Sequence, residues 1–201
     1  MPAAAAALAA SGASLIYAPA GSLSGPSLTV GAFPTTNPFT SGSFTAVLDL
    51  TRSRRHAPAR RAAAAAAAAS AGAPPGAGGG APRLLYLRCP MEDCASSMQR
   101  MLDALQATLL PFLLEAWRGG CRVLVHCEKG VSRSPTVAAA LIMALHQAGA
   151  LLEAADVAAR GLARAALSFV KGKRRVARPN KGFRRVLRKL ERIMVVVVEG
   201  A

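Results

Sequence analysis

Acidic residues are scarce in this chain of 201 residues. Asp and Glu number 10 against 25 Lys and Arg, a formal net charge of +15. Nearly all of the excess lies in two stretches, Arg52 to Arg61 and Lys171 to Arg192. Such a balance reads either as solvated loop and helix faces or as attraction to anionic partners: phosphoproteins, acidic lipid surfaces or nucleic acid. The 4 cysteines, Cys89, Cys94, Cys121 and Cys127, lack zinc-ligand spacing, which argues against a structural zinc site. No GxxxxGK[ST] occurs, so a Walker-type phosphate loop is excluded. The opening MPAAAAALAASGASLIYAPA has no basic leader and reads as a fraying tail rather than a signal peptide. From Ser134 to Leu152 there is no charge at all, but His146, Gln147 and Gly149 interrupt the run. A helix buried on all sides in a globular domain explains it better than a membrane span.

The length suits one domain plus tails. Its organising stretch is RVLVHCEKGVSRSPTVAAALIMAL, residues 122–145. Arg122 to Val125 is a short β-branched run, expected as a buried strand. Ser134-Pro135 then opens a long apolar helix, with Ser134 as N-cap and Pro135 at the first helical position. Cys127 therefore sits at a strand-to-helix turn, at the positive end of a helix dipole. A loop that wraps from strand to helix can aim several backbone N–H groups at one point, where a phosphate-sized anion binds. A thiol on the floor of such a cradle is favoured as thiolate. Arg133 adds a planar fork of donors for two phosphate oxygens. Gly130 permits a positive φ at mid-loop, and the Ser134 hydroxyl can stabilise the sulfur as a leaving group. Together these parts make a nucleophile for phosphoryl transfer.

The pattern His126-Cys127-Glu128-Lys129-Gly130-Val131-Ser132-Arg133-Ser134-Pro135 resembles the His-Cys-x5-Arg-Ser signature of cysteine-dependent phosphatases. Its Ser-Arg-Ser-Pro-Thr ending is similar to the dual-specificity branch in particular. A second, independent stretch, Arg178-Pro179-Asn180-Lys181-Gly182-Phe183 followed by RRVLRKLERIM, resembles the last helix of the same family. The fold that this implies is α/β: a central mixed, mostly parallel sheet flanked by helices. Ser27 to Gly31 and Phe44 to Leu50 match its opening strands, and Arg83 to Arg88 reads as a third. Residues 96–117 carry apolar positions at helical spacing, with Pro111 expected to kink or split the helix. Leu151 to Val170 is helical with a break at Gly161, and Lys171 to Arg178 is a basic connection. Asn180 caps an amphipathic helix with Phe183, Val186, Leu187 and Leu190 inward. The domain is thus expected over 25–194. Residues 1–24 form a low-complexity tail, 51–82 an inserted Ala/Gly/Pro-rich loop without a packing face, and 195–201 a C-terminal tail.

The resemblance also assigns roles. Cys127 is the nucleophile, Arg133 the phosphate clamp, and Ser134 the aid to thiolate departure. Residues Cys127, Glu128, Lys129, Gly130, Val131, Ser132 and Arg133 form the phosphate-binding loop, and His126 orients it. Phosphoryl transfer needs an acid for the leaving oxygen, which can later serve as base on the attacking water. Family members carry an Asp for this one strand and one helix before the Cys, the place of Asp93 in CPMED. Glu92 competes from one residue away, and Asp103 falls on the polar side of a helix. Cys89 and Cys94 flank that loop, as partners for a reversible disulfide with Cys127 or as small core-filling residues. No cofactor and no metal is implied. The expected substrate is a phosphorylated protein carrying phosphotyrosine or phosphoserine/threonine. Lys129, where relatives usually have a small residue, leaves a phosphoinositide as an alternative. The signature does not end in Asn-Arg-Thr-Gly as in RNA-end phosphatases, and a phosphoprotein-binding module would require loss of Cys127, Arg133 or Asp93. A protein kinase and an anionic surface, docked through Arg184, Arg185, Arg188 and Lys189 of the C-terminal helix, are the partner expectations. A monomer in the reducing cytoplasm or nucleus completes the reading.

Overall fold

A computed structural model of the chain describes residues 13–19, 25–34, 38–40, 43–53, 57–71, 84–149 and 151–199, with side chains as far as residue 194. Five strands, β1 (Ala13–Tyr17), β2 (Ser27–Gly31), β3 (Ala46–Asp49), β4 (Leu85–Arg88) and β5 (Arg122–His126), form one sheet in the order β1-β2-β5-β3-β4. β1 runs antiparallel to β2, and every other pairing is parallel. Parallel neighbours need long crossovers, and helices stand between β3 and β4 and between β4 and β5, while others follow β5. The helices are α1 (Ala57–Ala71), α2 (Met98–Ala104), α3 (Leu110–Arg118), α4 (Arg133–Gly149), α5 (Ala154–Arg160), α6 (Leu162–Lys173) and α7 (Lys181–Glu199). This is the mixed, mostly parallel sheet between helices that the sequence implies.

β5 lies at the centre, between β2 and β3, which is why RVLV is apolar on both faces. Val123 and Val125 point into the large core, while Leu124 joins Phe39, Val47 and Ala63 on the opposite face. α4 is buried from Arg133 to Met143, so the uncharged run is a core helix. Among the described residues no helix is long and apolar enough to cross a membrane. α7 presents Phe183, Val186, Leu187 and Leu190 to the same core. Its first turn is capped as expected: Asn180 Oδ1 accepts the Phe183 N–H at 2.9 Å. The helix expected over 96–117 is split into α2 and α3, with Pro111 in the first turn of α3. A π turn, Leu105–Leu109, absorbs the missing N–H between α2 and α3.

Three expectations need correction. Residues 1–24 are not all outside the fold, because Ala13–Tyr17 is the edge strand of the sheet. Ile16 is fully buried there, and the Tyr17 ring stacks on Trp117 with centroids 5.6 Å apart. Residues 1–12 lie outside the described ones. The stretch 51–82 is not one loop either, since Ala57–Ala71 forms α1. Its packing face is made of alanine methyls, with Ala63, Ala66 and Ala67 set against Phe39, Val47, Leu124 and Tyr86. In a run where nearly every residue is alanine, no periodicity can reveal which methyls face inward. Residues 54–56 and 72–82 of that stretch are outside the described set. Finally, the last helix runs on to Glu199, into the stretch 195–201 that was set apart as a tail.

If α1 packs through Ala63, a matched pair of substitutions should separate its faces. Ala63→Glu forces a charge and extra volume against the sheet and should destabilise by at least about 1–3 kcal/mol. Ala64→Glu, on the exposed face, should stay within about 0.5 kcal/mol of the parent. Urea denaturation midpoints of the two variants check this; equal midpoints would mean that α1 is not docked.

Candidate active site

β5 ends at His126 and α4 begins at Arg133, so residues 127–132 make the turn between them. Ser134 therefore lies inside the first helical turn rather than capping it, with its side chain fully buried. Its Oγ sits 3.2 Å from the Cys127 Sγ and 3.4 Å from the Gly31 carbonyl oxygen. The Cys127 side chain is buried, and its sulfur accepts the Gly130 N–H at 3.3 Å. Gly130 has φ 65°, and a Cβ there would come within 2.5 Å of Arg174 Nη2 and 2.6 Å of the Gly31 carbonyl carbon. Glycine is thus required both by the turn and by its neighbours.

The loop carbonyls face away from the sulfur, and each that follows has a partner. The Glu128 carbonyl accepts the Phe33 N–H at 3.5 Å, and the Val131 carbonyl the Arg178 N–H at 2.7 Å. The Ser132 carbonyl accepts from Thr136, both N–H (3.1 Å) and Oγ1 (2.8 Å). The Gly130 carbonyl accepts Arg174 Nε at 2.6 Å, and the Lys129 carbonyl accepts Arg174 Nη2 at 3.5 Å. In a trans peptide the N–H points opposite to the C=O. Carbonyls turned outward from 128 to 131 therefore turn the amides of 129 to 132 inward, over Cys127. That concave row of donors is a nest for a tetrahedral anion.

Arg133 reaches the same place. Its guanidinium is buried, and its Nη1 is braced by the carbonyls of Met91 (2.9 Å) and Leu50 (3.3 Å). Its Nε is buried without a hydrogen-bond partner, 3.9 Å from Asp93 Oδ2. A buried donor left open in this way is suited to a ligand oxygen. Asp93 is exposed, and its Oδ1 accepts Asn180 Nδ2 at 3.0 Å. Glu92 points elsewhere, into an ion pair with Arg52. Asp103 is exposed and accepts from Gln99 at 2.7 Å, away from the site. Of the loop residues, Lys129 is exposed at the rim. The Glu128 carboxylate accepts the N–H groups of Arg52 (3.2 Å) and Ser53 (2.9 Å). Ser132 Oγ accepts the Asn180 N–H at 3.2 Å.

Behind the loop, His126 is buried with its ring edge-on to Phe33 and its Nδ1 3.8 Å from Asp49 Oδ1. Asp49, fully buried, accepts Thr51 N–H (2.7 Å), Thr51 Oγ1 (2.6 Å) and Tyr86 Oη (3.0 Å). Burial, with the Asp49 carboxylate beside it, pushes the Tyr86 phenol far above its usual range, so it stays a donor. The 4 cysteines are all free. Burial pushes the Cys89 thiol up, whereas the Ser96 and Ser97 hydroxyls pull the Cys94 thiol down. The structure places Cys127, Arg133, Ser134, Asp93 and His126, the residues that the sequence reading names, in and around this one turn. It misses Asp49, whose signal was a lone carboxylate in the apolar run FTAVLDL. It reads Asn180 only as a cap, and it gives no hint of Arg174.

This arrangement, a thiol under a ring of amides with a free arginine donor and a nearby carboxylic acid, has known counterparts. Residues 37–193 match the model of the dual specificity phosphatase catalytic domain. Over 86 residues the chain is 44% identical to "Dual specificity protein phosphatase 1" of Arabidopsis thaliana, a match covering 42% of this chain and 36% of that relative's length. The fold is similar to that of the Cydia pomonella PTP-2 phosphatase (TM-score 0.57, 24% identity, 89% of each chain covered). It is also similar to that of PTPMT1, solved in complex with PI(5)P (TM-score 0.55, 15% identity, 85% of this chain and 94% of that one). The chain belongs to the dual specificity phosphatase family and carries its catalytic domain, within the cysteine-dependent phosphatase superfamily.

Proposed function

We propose that the protein hydrolyses phosphotyrosine and phosphoserine or phosphothreonine in protein substrates through a phosphocysteine intermediate. The observation that carries this reading is one turn with the buried Cys127 sulfur held by the Gly130 N–H at its start and, at its end, Arg133, whose buried open Nε lies 3.9 Å from the Asp93 carboxyl. In the first step the Cys127 thiolate attacks phosphorus in line. The loop amides and Arg133 hold the equatorial oxygens, and Asp93 gives its proton to the leaving oxygen. In the second step Asp93, now a carboxylate, takes a proton from water as that water attacks phosphorus. The Ser134 hydroxyl, 3.2 Å from the sulfur, stabilises the departing thiolate. Positive field from the loop and Arg133 does the work that cations do in other phosphoryl-transfer sites. A nucleophilic thiol also favours a reducing location, the cytoplasm or nucleus.

A phosphoinositide substrate is the second reading. It is favoured by the exposed Lys129 at the rim of the loop and by the likeness in fold to PTPMT1. A surface beside the site bears on partner choice. A cavity of about 340 Å³ between α6 and α7 is floored by Ala163, Leu167 and Leu187 and ringed by Arg164, Lys181, Arg184, Arg185 and Arg188. Lys181 follows Asn180, the residue that holds Asp93, so this basic groove starts next to the acid loop. It suits an acidic stretch flanking a phosphorylated residue, including one on a kinase.

Two measurements test these readings. With EDTA present, the wild type should hydrolyse an aryl phosphate in a vanadate-sensitive way. Cys127→Ser should show no turnover, and Asp93→Asn should lose about 10²–10⁴-fold with a poor leaving group and far less with a good one. No turnover in a folded wild type would sink the enzyme reading. Faster hydrolysis of a phosphoinositide in vesicles than of any phosphopeptide would favour the second substrate class. Separately, Arg184→Ala/Arg185→Ala/Arg188→Ala should weaken binding of a phosphopeptide with an acidic flank about tenfold at low salt and little at high salt. Equal affinity in a fluorescence-anisotropy titration would remove the groove from substrate recognition.

A further inference from the structure

The least explained residue near the sulfur is Arg174, at the C-terminal end of α6. Its side chain is buried, a place a lone guanidinium avoids unless its donors are used. Here Nε bonds the Gly130 carbonyl at 2.6 Å, Nη2 reaches the Lys129 carbonyl at 3.5 Å, and Nη1 meets the Ser14 hydroxyl of β1 at 3.2 Å. The two carbonyls belong to the peptides on either side of Gly130. Glycine is the residue around which a peptide unit flips most readily, because both signs of φ are open to it. A flip of the Lys129–Gly130 peptide would remove the N–H now on the sulfur and aim a carbonyl oxygen at the anion instead. Nothing in the loop's own sequence forbids that flip.

We propose that Arg174 is a positioning residue for the phosphate loop. Its guanidinium pins the carbonyls of Lys129 and Gly130 outward, so that the N–H groups of Gly130 and Val131 stay on the sulfur and the incoming phosphate. Its charge, on the side of the loop away from solvent, also favours the Cys127 thiolate. Three observations support this. The Arg174 Nη2 occupies the space that a Cβ at position 130 would need, at 2.5 Å, so cation and glycine fit as a pair. Burial draws the Arg174 pKa down, and a charge on the Cys127 side chain acts on it in the opposite sense. The same connection also gives its Arg178 N–H to Val131 and its Asn180 N–H to Ser132. Residues 174–180 thus form a brace along the outer side of the loop, and Arg174 is its one side chain that bridges two loop peptides. The inference rests on the reading of Cys127 as the nucleophile.

The test is read without turnover, as the rate of Cys127 carbamidomethylation by iodoacetamide against pH, followed by peptide mass spectrometry, with inorganic phosphate as protectant. Arg174→Met should raise the midpoint of the alkylation curve by about one pH unit. It should also raise the phosphate concentration for half-protection at least tenfold. Arg174→Lys keeps the charge but not the fork, so its midpoint should stay near that of the wild type while the half-protecting phosphate concentration still rises several-fold. A folded Arg174→Met with both curves superposed on the wild type would overturn the proposal. Should that variant not fold, Arg174→Lys decides, and unchanged phosphate protection would overturn it equally. Wild-type Cys127 that phosphate fails to protect would instead refute the phosphatase reading, and this one with it.

Discussion

A planar peptide cannot point its N–H inward without pointing its neighbour's C=O outward. The site depends on that constraint more than on any single contact. A loop that collects amides around a sulfur must export as many carbonyls, and each exported carbonyl needs a donor in a crowded interior. The donors come from far apart in the chain: Phe33 after β2, Arg174 and Arg178 between α6 and α7, and Thr136 in the first turn of α4. The central place of β5 follows from this need. Only a strand flanked on both sides, and followed by a helix buried against the sheet, ends where so many donors can meet its loop.

The acid loop is held by the same logic, through different atoms. Arg133 does not float above the sulfur. Its Nη1 takes the carbonyls of Leu50 and Met91, which fixes the guanidinium plane and leaves Nε for the ligand. Because Met91 belongs to the segment that carries Asp93, that bond also helps set how far Asp93 stands from Arg133. Asn180 closes the circuit. Its Oδ1 caps α7, its Nδ2 holds Asp93, and its N–H holds Ser132. Gly182 lets α7 come this close, since a Cβ there would lie 2.5 Å from the Ala95 carbonyl oxygen. One residue thus ties the start of α7, Asp93 and the loop.

What could be read from the residues divides along physical lines. β5, α4 and the nucleophile turn were legible because a β-branched run, a Cys, a mid-loop Gly and a buried apolar helix each have a strong local preference. Asp93 was singled out by the family resemblance, from its place one strand and one helix before the Cys, and the structure adds that it lies 3.9 Å from Arg133 while Glu92 pairs with Arg52. α1 was not legible, because its inward face is chemically identical to its outward one. β1 was missed because ASLIY follows a low-complexity tail, and only the stacking of Tyr17 on Trp117 and the burial of Ile16 give it a place. Arg174 was hidden for a third reason. It stands in a stretch where cations are the commonest residue, and nothing local tells the buried one from its exposed neighbours Lys173 and Arg175.

The excess of basic residues therefore has two components that obey different physics. The exposed set on α7 and the groove beside it acts through a screened field, weak per residue and sensitive to salt. The buried pair, Arg133 and Arg174, sits within the sheet–helix core on opposite sides of one turn, where charge is costly unless an anion answers it. A phosphate-sized anion seated on the loop would answer that charge. Bringing two guanidinium groups into the interior is the burden that the fold carries so that a weakly acidic thiol and a doubly charged ligand can share one small space. A ligand that relieves it must bind the folded state in preference to the unfolded one, so substrate affinity and domain stability are linked through the same two side chains.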